Sequence, residues 1–145
     1  MITVSPHILR ANSIRGRFGT DLDERIAVFL GAHYAAETGG RLVVVGSDHR
    51  TSSPALREAL IEGLCAGGAD VMDVGAVPRG LAMFASWRAG APSAYVTASH
   101  LTREWNGLKF AHAGGMPLDR EENARIYVRL AGPAPVEGTL RLPLT

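Results

Sequence analysis

The segment RLVVVGSDHRTSSPALREALIEGLCAGGADVMDV, residues 41–74, contains a complete strand–helix–strand pattern. The β-branched run Val43-Val44-Val45 predicts a strand that is buried on both faces, because such strands are apolar throughout instead of alternating. Ser53-Pro54 opens a helix, since proline is well tolerated at the first helical position, and Gly67-Gly68 ends that helix. A second strand follows at residues 70–74. The segment therefore predicts a parallel β-α-β unit.

The same alternation of strands and helices continues on both sides of this unit. Residues 20–24 predict the start of a helix that ends at Gly39-Gly40, and further helices are predicted around residues 81–88 and 119–130. Two more strands are predicted at residues 93–97 and 105–111, and no element is assigned before residue 20. This order predicts an α/β fold, namely a single-domain, three-layer α/β/α sandwich with a mixed, mostly parallel sheet. We assign residues 1–132 to this domain and residues 133–145 to a C-terminal linker or tail.

Composition excludes several classes of protein without indicating a chemistry. The 145 residues include 15 basic and 14 acidic side chains, a net charge of +1, so we expect no nucleic-acid or membrane partner. Hydrophobic residues make up 46% and charged residues 20%, which excludes a disordered chain. The single cysteine, Cys65, cannot form an intrachain disulfide, and we expect a cytoplasmic protein with this thiol on the buried face of its helix. Residues 1–20 show no long apolar run, so neither a signal peptide nor a membrane span is expected.

Three loops follow the predicted parallel strands, at residues 47–52, 76–79 and 98–100. Ligands of such sheets bind at the carboxyl ends of the strands, where these loops meet. Two of the loops combine hydroxyl side chains with basic ones, which suits a phosphate or another oxyanion. The sequence therefore predicts an oxyanion site at this edge of the sheet, with Arg50 and Arg103 among its candidate phosphate-binding residues.

The loop that begins Thr97-Ala98-Ser99-His100 contains the clearest catalytic candidates. A serine in such a loop can act as a nucleophile or phosphoryl carrier when neighbouring groups manage its proton and its charge. His100 is a candidate for moving the proton, and Lys109 is a candidate for holding negative charge. The alternative is that Ser99 only caps the turn, with His100 exposed beside it.

Taken with Asn106-Gly107-Leu108-Lys109, this loop resembles the phosphoserine loop of the α-D-phosphohexomutases, the phosphoglucomutase and phosphomannomutase family. Further motifs agree in order along residues 10–130, which is nearly the whole chain: Ile14-Arg15-Gly16, Val45-Gly46 with Asp48 and Arg50, Ser52-Ser53-Pro54, Glu62-Gly63-Leu64, Asp73-Val74-Gly75 and Val77-Pro78. The resemblance is to the first α/β/α domain of that family's four domains. It implies a domain that takes part in carbohydrate metabolism as a piece of an isomerase.

The resemblance also implies a role for each candidate residue. Ser99 would be the phosphoserine that exchanges its phosphoryl group with a hexose monophosphate, with Arg15 near the transferred group. His100 and Lys109 would transfer protons and stabilise charge. The family's magnesium ion would contact this chain only through the phosphate on Ser99, because its other ligands belong to the second domain. We therefore do not expect this chain alone to bind Mg²⁺.

Two interpretations of function stay open at this point. In the first, the chain is a phosphohexomutase-type phosphotransferase domain that is incomplete, and therefore inactive, without the remaining mutase domains. In the second, it is a non-catalytic module that binds phosphate or a phosphosugar and serves regulation or assembly, with the other domains or a second copy as partner. Leu101-Thr102 and Arg79-Gly80 depart from the family pattern, which has Asn-Pro and Thr-Pro there, and these departures favour a divergent member.

Overall fold

The computed structural model describes residues 6–131, and the side chains of residues 7–126. A short 3₁₀ helix, Pro6–Ile8, precedes five strands and four helices in the described residues. In chain order these are β1 (Ile14–Arg17), α1 (Glu24–Glu37), β2 (Val43–Ser47), α2 (Ser53–Ala66), β3 (Val71–Ala76), α3 (Arg79–Ala89), β4 (Ser93–Val96), β5 (Trp105–Ala111) and α4 (Arg120–Ala131). The predicted tail at residues 133–145 lies outside the described residues.

The strands form one mixed sheet in the order β1-β5-β4-β2-β3. β2 pairs in parallel with both β3 and β4, whereas β5 pairs antiparallel with both β4 and β1. Within residues 6–131, β5 therefore runs against four strands that share one direction. The predicted mixed and mostly parallel sheet is confirmed.

Helices cover both faces of the sheet, which confirms the three-layer prediction. Val43 and Val45 point into a core that α1 and α2 close, and α4 packs against α1 on the same side. Gly46 faces the opposite way, toward Ala82 of α3. α3 packs on β2 and β4 from this second face.

The helix starts follow from local chemistry that the sequence already displays. Asp23 caps α1, because its carboxylate accepts a hydrogen bond of 3.0 Å from the backbone N–H of Ile26. In α2 the proline at the start takes a position whose N–H would have no helical partner. The predicted starts at residues 20–24 and at Ser53-Pro54 are therefore confirmed.

The structure adds one strand to those predicted and corrects one expectation. The stretch before residue 20 contains a strand, β1, which pairs with β5 so that Arg15 lies opposite Gly107. Cys65 is exposed, not buried. The buried face of α2 turns toward Gly63, which lies against the backbone of Val28 in α1 so closely that a Cβ there would collide with it.

Among the residues that the structure describes, no helix is both long enough and apolar enough to cross a membrane.

Candidate functional site

The carboxyl end of β4 with the loop that follows it, the start of α3 after β3, and one residue each of β1 and β5 surround a cavity of about 430 Å³. Its lining residues are Arg15, Arg79, Tyr95, Thr97, Ser99, His100 and Lys109. Strand pairing brings two of them together, since Lys109 lies opposite Tyr95 across the β4–β5 ladder. The structure thus collects all four residues that were predicted to be catalytic, Arg15, Ser99, His100 and Lys109, around one opening, and their roles stay predictions.

Ser99 occupies an unusual backbone conformation. Its φ is +57°, in the left-handed region that non-glycine residues rarely adopt and that costs roughly 1–3 kcal/mol. The Ser99 N–H donates a hydrogen bond of 2.9 Å to the Thr97 hydroxyl, which fixes this turn. The Ser99 hydroxyl is exposed and lies 3.5 Å from Nδ1 of His100, at the outer limit for a hydrogen bond. The surrounding structure therefore holds the serine in a strained turn and presents its hydroxyl to solvent.

Asp48 anchors the turn from behind. Its carboxylate accepts hydrogen bonds from the hydroxyls of Thr97 at 2.7 Å and Ser53 at 2.6 Å, and from the backbone N–H of Arg50 at 3.1 Å. Burial raises the pKa of Asp48, but the bonds from Ser53, Thr97 and Arg50 outweigh burial, so the pKa lies below its ordinary value. Asp48 is therefore ionised at neutral pH and its lone pairs are committed to holding the loops.

Asn106 and Gly107 connect the same network to β5. The Asn106 side-chain amide donates to the hydroxyls of Ser52 at 2.8 Å and Ser53 at 3.0 Å. Gly107 has no room for a side chain, because a Cβ would meet the carbonyl of Thr97 at 2.8 Å and collide with that of Ile14. The spacing from Thr97 to Lys109 in the sequence thus reflects a close approach of β5 to its neighbours.

The guanidinium of Arg50 binds the backbone of the Ser99 loop, although the sequence predicted that it would bind phosphate. Its guanidinium donates to Asp48 and to four backbone carbonyls, those of Ser99 at 2.9 Å, Leu101 at 2.8 Å, Thr102 at 2.8 Å and Trp105 at 3.3 Å. These five bonds occupy all five N–H groups of an arginine side chain. No donor of Arg50 is left for an anion in this geometry, so the structure gives no support to its phosphate-binding role, which stays a prediction.

The cavity contains Arg79 but not Arg103, whereas Arg103 was predicted from the sequence and Arg79 was not. Arg103 is exposed on the loop before β5 and does not line the cavity, so the geometry gives no support to its predicted phosphate contact. Arg79 does line the cavity, although it was not among the predicted site residues. The departure at Arg79-Gly80 from the family pattern was the signal in the sequence that could have indicated it.

The cavity is strongly cationic. Within the described part of the chain, Arg15, Arg79 and Lys109 form no ion pair, no carboxylate lines the cavity, and the buried Nε of Arg15 has no hydrogen-bond partner. Burial lowers the pKa of Lys109, and the charges of Arg79 and Arg15 lower it further. Burial likewise lowers the pKa of Arg15, with Arg10 and Arg50 adding to the effect. The repulsion between these cations is reduced when an anion binds, and an oxyanion with more than one negative charge reduces it most.

The residues present do not fit a magnesium ion. Residues 6–131 contain no group of three or more histidine, cysteine or carboxylate side chains close enough to hold a metal. The cavity presents cations, and the nearby carboxylate of Asp48 already accepts from Ser53, Thr97 and Arg50. Mg²⁺ stays an expectation from the family resemblance.

A larger cavity of about 650 Å³ lies at the amino ends of β2 and β4, but its charged groups already have partners within the described residues, and Arg41 among them donates to the carbonyl of Thr38. His112 lies 2.9 Å from Glu122, and Arg125 lies 3.8 Å from Glu37. The cavity around Ser99 is therefore the better candidate for an anion site, because its cations have no such partners among the described residues.

Fold and cavity together define a class: an α/β/α domain that surrounds a serine hydroxyl with unpaired cations where two of its parallel strands end. Residues 7–134 match the family model for the phosphoglucomutase/phosphomannomutase α/β/α domain I. The chain belongs to this family, as the sequence resemblance indicated.

Individual relatives agree with this assignment. The chain is 37% identical over 123 residues to a phosphomannomutase of Salmonella typhimurium, covering 84% of this chain and 27% of the relative. It is 38% identical over 111 residues to a "Probable phosphoglucosamine mutase" of Thermococcus kodakarensis, covering 76% and 25% of the two chains. The crystal structure of a phosphoglucomutase/phosphomannomutase family protein from Burkholderia thailandensis superposes with a TM-score of 0.81 at 34% identity, covering 89% of this chain and 31% of that one. The chain thus spans about a quarter to a third of the length of these relatives.

Proposed function

We propose that this chain supplies the phosphoryl-carrying serine of a phosphohexomutase, and that Ser99 is that serine. One observation carries the proposal: Ser99 lies in a strained, exposed turn at the mouth of a cavity whose cations have no carboxylate partner in residues 6–131. Phosphoryl transfer depends on placing the reacting groups and neutralising charge, and a serine among unpaired cations provides both. Family membership supports the same reading.

The proposed step transfers a phosphoryl group between a phosphosugar oxygen and Ser99. The Ser99 oxygen forms a bond to phosphorus as the bond from phosphorus to the sugar oxygen breaks, and the serine proton ends on that sugar oxygen. His100, 3.5 Å from the hydroxyl, is the group placed to receive the proton first. Arg15 and Lys109 stabilise the charge on the transferred group. The lowered pKa of Lys109, caused by burial and then by Arg79 and Arg15, also suits it to exchange a proton.

We propose a hexose phosphate as the substrate class, because the relatives are named for phosphomannose and phosphoglucosamine. The chain covers about a quarter of those relatives, so groups that contact the sugar and its second phosphate are to be supplied by further mutase domains. On this proposal the 145 residues alone do not interconvert hexose 1- and 6-phosphates, because they offer one end of the required site.

α3 offers a surface for those domains. Leu81, Phe84 and Trp87 are 52%, 53% and 64% exposed, and the rings of Phe84 and Trp87 lie 5.9 Å apart. Apolar groups clustered in this way commonly mark an interface. We assign this face to the remainder of the mutase, given how much of the relatives' length lies beyond the matched domain. A concentration-dependent dimer that Trp87→Glu abolishes would assign it to a second copy instead.

The experiment is phosphoryl labelling of the purified chain. Incubation with a hexose 1,6-bisphosphate, or with acetyl phosphate as a small donor, is expected to add one phosphoryl group, mapped to Ser99 by peptide mass spectrometry. Ser99→Ala should abolish the label, whereas Thr102→Ala, which removes a hydroxyl from the same exposed loop, should keep it. Phosphate binding without any label on Ser99 would favour the non-catalytic binding module, and a label at another residue would refute Ser99 as the carrier.

A further inference from the structure

Arg79 is a cation of the Ser99 cavity that the family pattern does not supply. It is the first residue of α3, and the family has Thr-Pro where this chain has Arg79-Gly80. Its side chain lines the same opening as Arg15, Ser99 and Lys109. It has no hydrogen bond or ion pair with any residue that the structure describes. An arginine in this setting has its five N–H donors available to a ligand.

The backbone that carries Arg79 is fixed by the ends of two strands. The N–H of Val77 donates to the carbonyl of Ser47 at 3.0 Å, and the hydroxyl of Tyr95 donates to the carbonyl of Val77 at 2.6 Å. Pro78 then restricts the backbone immediately before Arg79. The guanidinium therefore extends from an anchored position at the rim of the cavity, and it does so from the N-terminal end of a helix, whose dipole adds positive potential there.

The charges in the cavity support a ligand role for this arginine. Burial is the largest cause of the lowered pKa of Lys109, and the charge of Arg79 comes next, ahead of that of Arg15. Among the described residues, no carboxylate in the cavity offsets the three positive charges. An anion with two negative charges offsets two of these three positive charges and so reduces the repulsion.

We infer that Arg79 is an anion-binding residue of this cavity, so that the chain holds a phosphate dianion with Arg15, Lys109 and Arg79. The inference rests on the proposed function only in taking phosphate as the ligand of the Ser99 cavity. It adds a specificity element, because a threonine at position 79 would leave the cavity with two of the three cations.

The test is a titration of the 145-residue chain with inorganic phosphate, followed by the amide shifts of Ser99 and His100 in NMR spectra. Arg79→Thr, which installs the residue of the family pattern, is expected to weaken phosphate binding by about threefold to fivefold, the upper part of the range for an exposed ion pair. Arg79→Lys should recover part of the loss. Arg88→Thr is the matched control, because Arg88 is an exposed arginine in the last turn of the same helix, and its effect should stay below about twofold.

The pKa of the Lys109 amine provides a second measurement, which needs no ligand. Without phosphate, the pKa of the Lys109 amine, followed by NMR, should rise in Arg79→Thr and stay unchanged in Arg88→Thr.

The outcomes of the phosphate titration distinguish the role of Arg79 from the phosphate site itself. If the wild-type chain binds phosphate and Arg79→Thr binds it equally well, the role of Arg79 is refuted and the phosphate site stands. If Arg79→Thr and Arg88→Thr weaken binding equally, the effect is one of net charge and the inference fails. If the wild-type amides show no saturation at tens of millimolar phosphate, the anion site and the role of Arg79 fall together.

Discussion

Replacing Arg50 tests whether one guanidinium holds the Ser99 loop. The side chain is 14% exposed and makes five bonds, of which those to Ser99 and Thr102 are exposed and are replaced by water when lost. The bonds to Asp48, Leu101 and Trp105 are partly buried. At about 1 kcal/mol net for each of these three, Arg50→Ala should lower the free energy of unfolding by about 3 kcal/mol. Arg50→Lys should recover little, because an ammonium group cannot reproduce the planar fork.

Urea unfolding gives the free energy of unfolding, provided that its dependence on urea concentration is the same in both proteins. Hydrogen exchange at residues 99–105 measures how well the loop is held. The midpoint temperature of thermal unfolding should fall by roughly 6–12 °C, at about 2–4 °C per kcal/mol for a chain of this size. Arg25→Ala is the matched control, because Arg25 also pairs with an aspartate two residues earlier, Asp23, but is 75% exposed. We expect about 0.5 kcal/mol or less from that change. If Arg50→Ala cost no more than Arg25→Ala and left exchange at residues 99–105 unchanged, the anchoring role would be refuted.

Three further substitutions address the strain, the anchor and the charge of the site. Ser99→Gly should stabilise the fold by about 1 kcal/mol relative to Ser99→Ala in urea unfolding, since glycine relieves the left-handed φ of +57°; equal stabilities would contradict the strain. The folded pKa of Asp48 lies below its ordinary 3.8, so its contribution is present above that value and lost as the pH falls through the folded pKa. The stability difference between wild type and Asp48→Asn should accordingly shrink on acidification below about pH 4, and a constant gap would argue against the anchor. Lys109→Met should stabilise the phosphate-free chain by a few tenths of a kcal/mol, because burial and the charges of Arg79 and Arg15 disfavour a charged amine there, and it should reduce the rise in melting temperature that phosphate gives the wild type.

The elements that local sequence specifies were predictable. The β-branched run Val43-Val44-Val45 favours a strand that is buried on both faces. Ser53-Pro54 favours the start of α2 through the fixed backbone geometry of proline alone. β1 was not predictable in this way, because Ile14 is its one large apolar residue. Its existence depends on pairing with β5, some ninety residues further along the chain.

For the candidate site, too, one part was predictable from local sequence and another part was not. The spacing from Thr97 to Lys109 indicated which residues lie together, since β4 and β5 are adjacent antiparallel strands joined by one loop. It did not indicate where each cation points. Arg50 turns to the backbone carbonyls that the loop leaves unpaired, and Arg79 turns to the cavity, because each choice depends on contacts between segments far apart in the sequence.

Asp48 and Arg50 explain how the fold stays stable with a strained and highly charged site. A left-handed serine and three unpaired cations each raise the free energy of the phosphate-free chain, so the loop needs anchors that are independent of the ligand. Asp48 and Arg50 supply them from behind, through an ionised carboxylate and a fully bonded guanidinium that do not contact the cavity. Binding of an anion then acts on Arg15, Arg79 and Lys109 without disturbing the anchor. A phosphate that fills the cavity should therefore raise the free energy of unfolding while leaving the amide chemical shifts of Arg50 and Ser53, whose N–H groups are bonded within the anchor, unchanged.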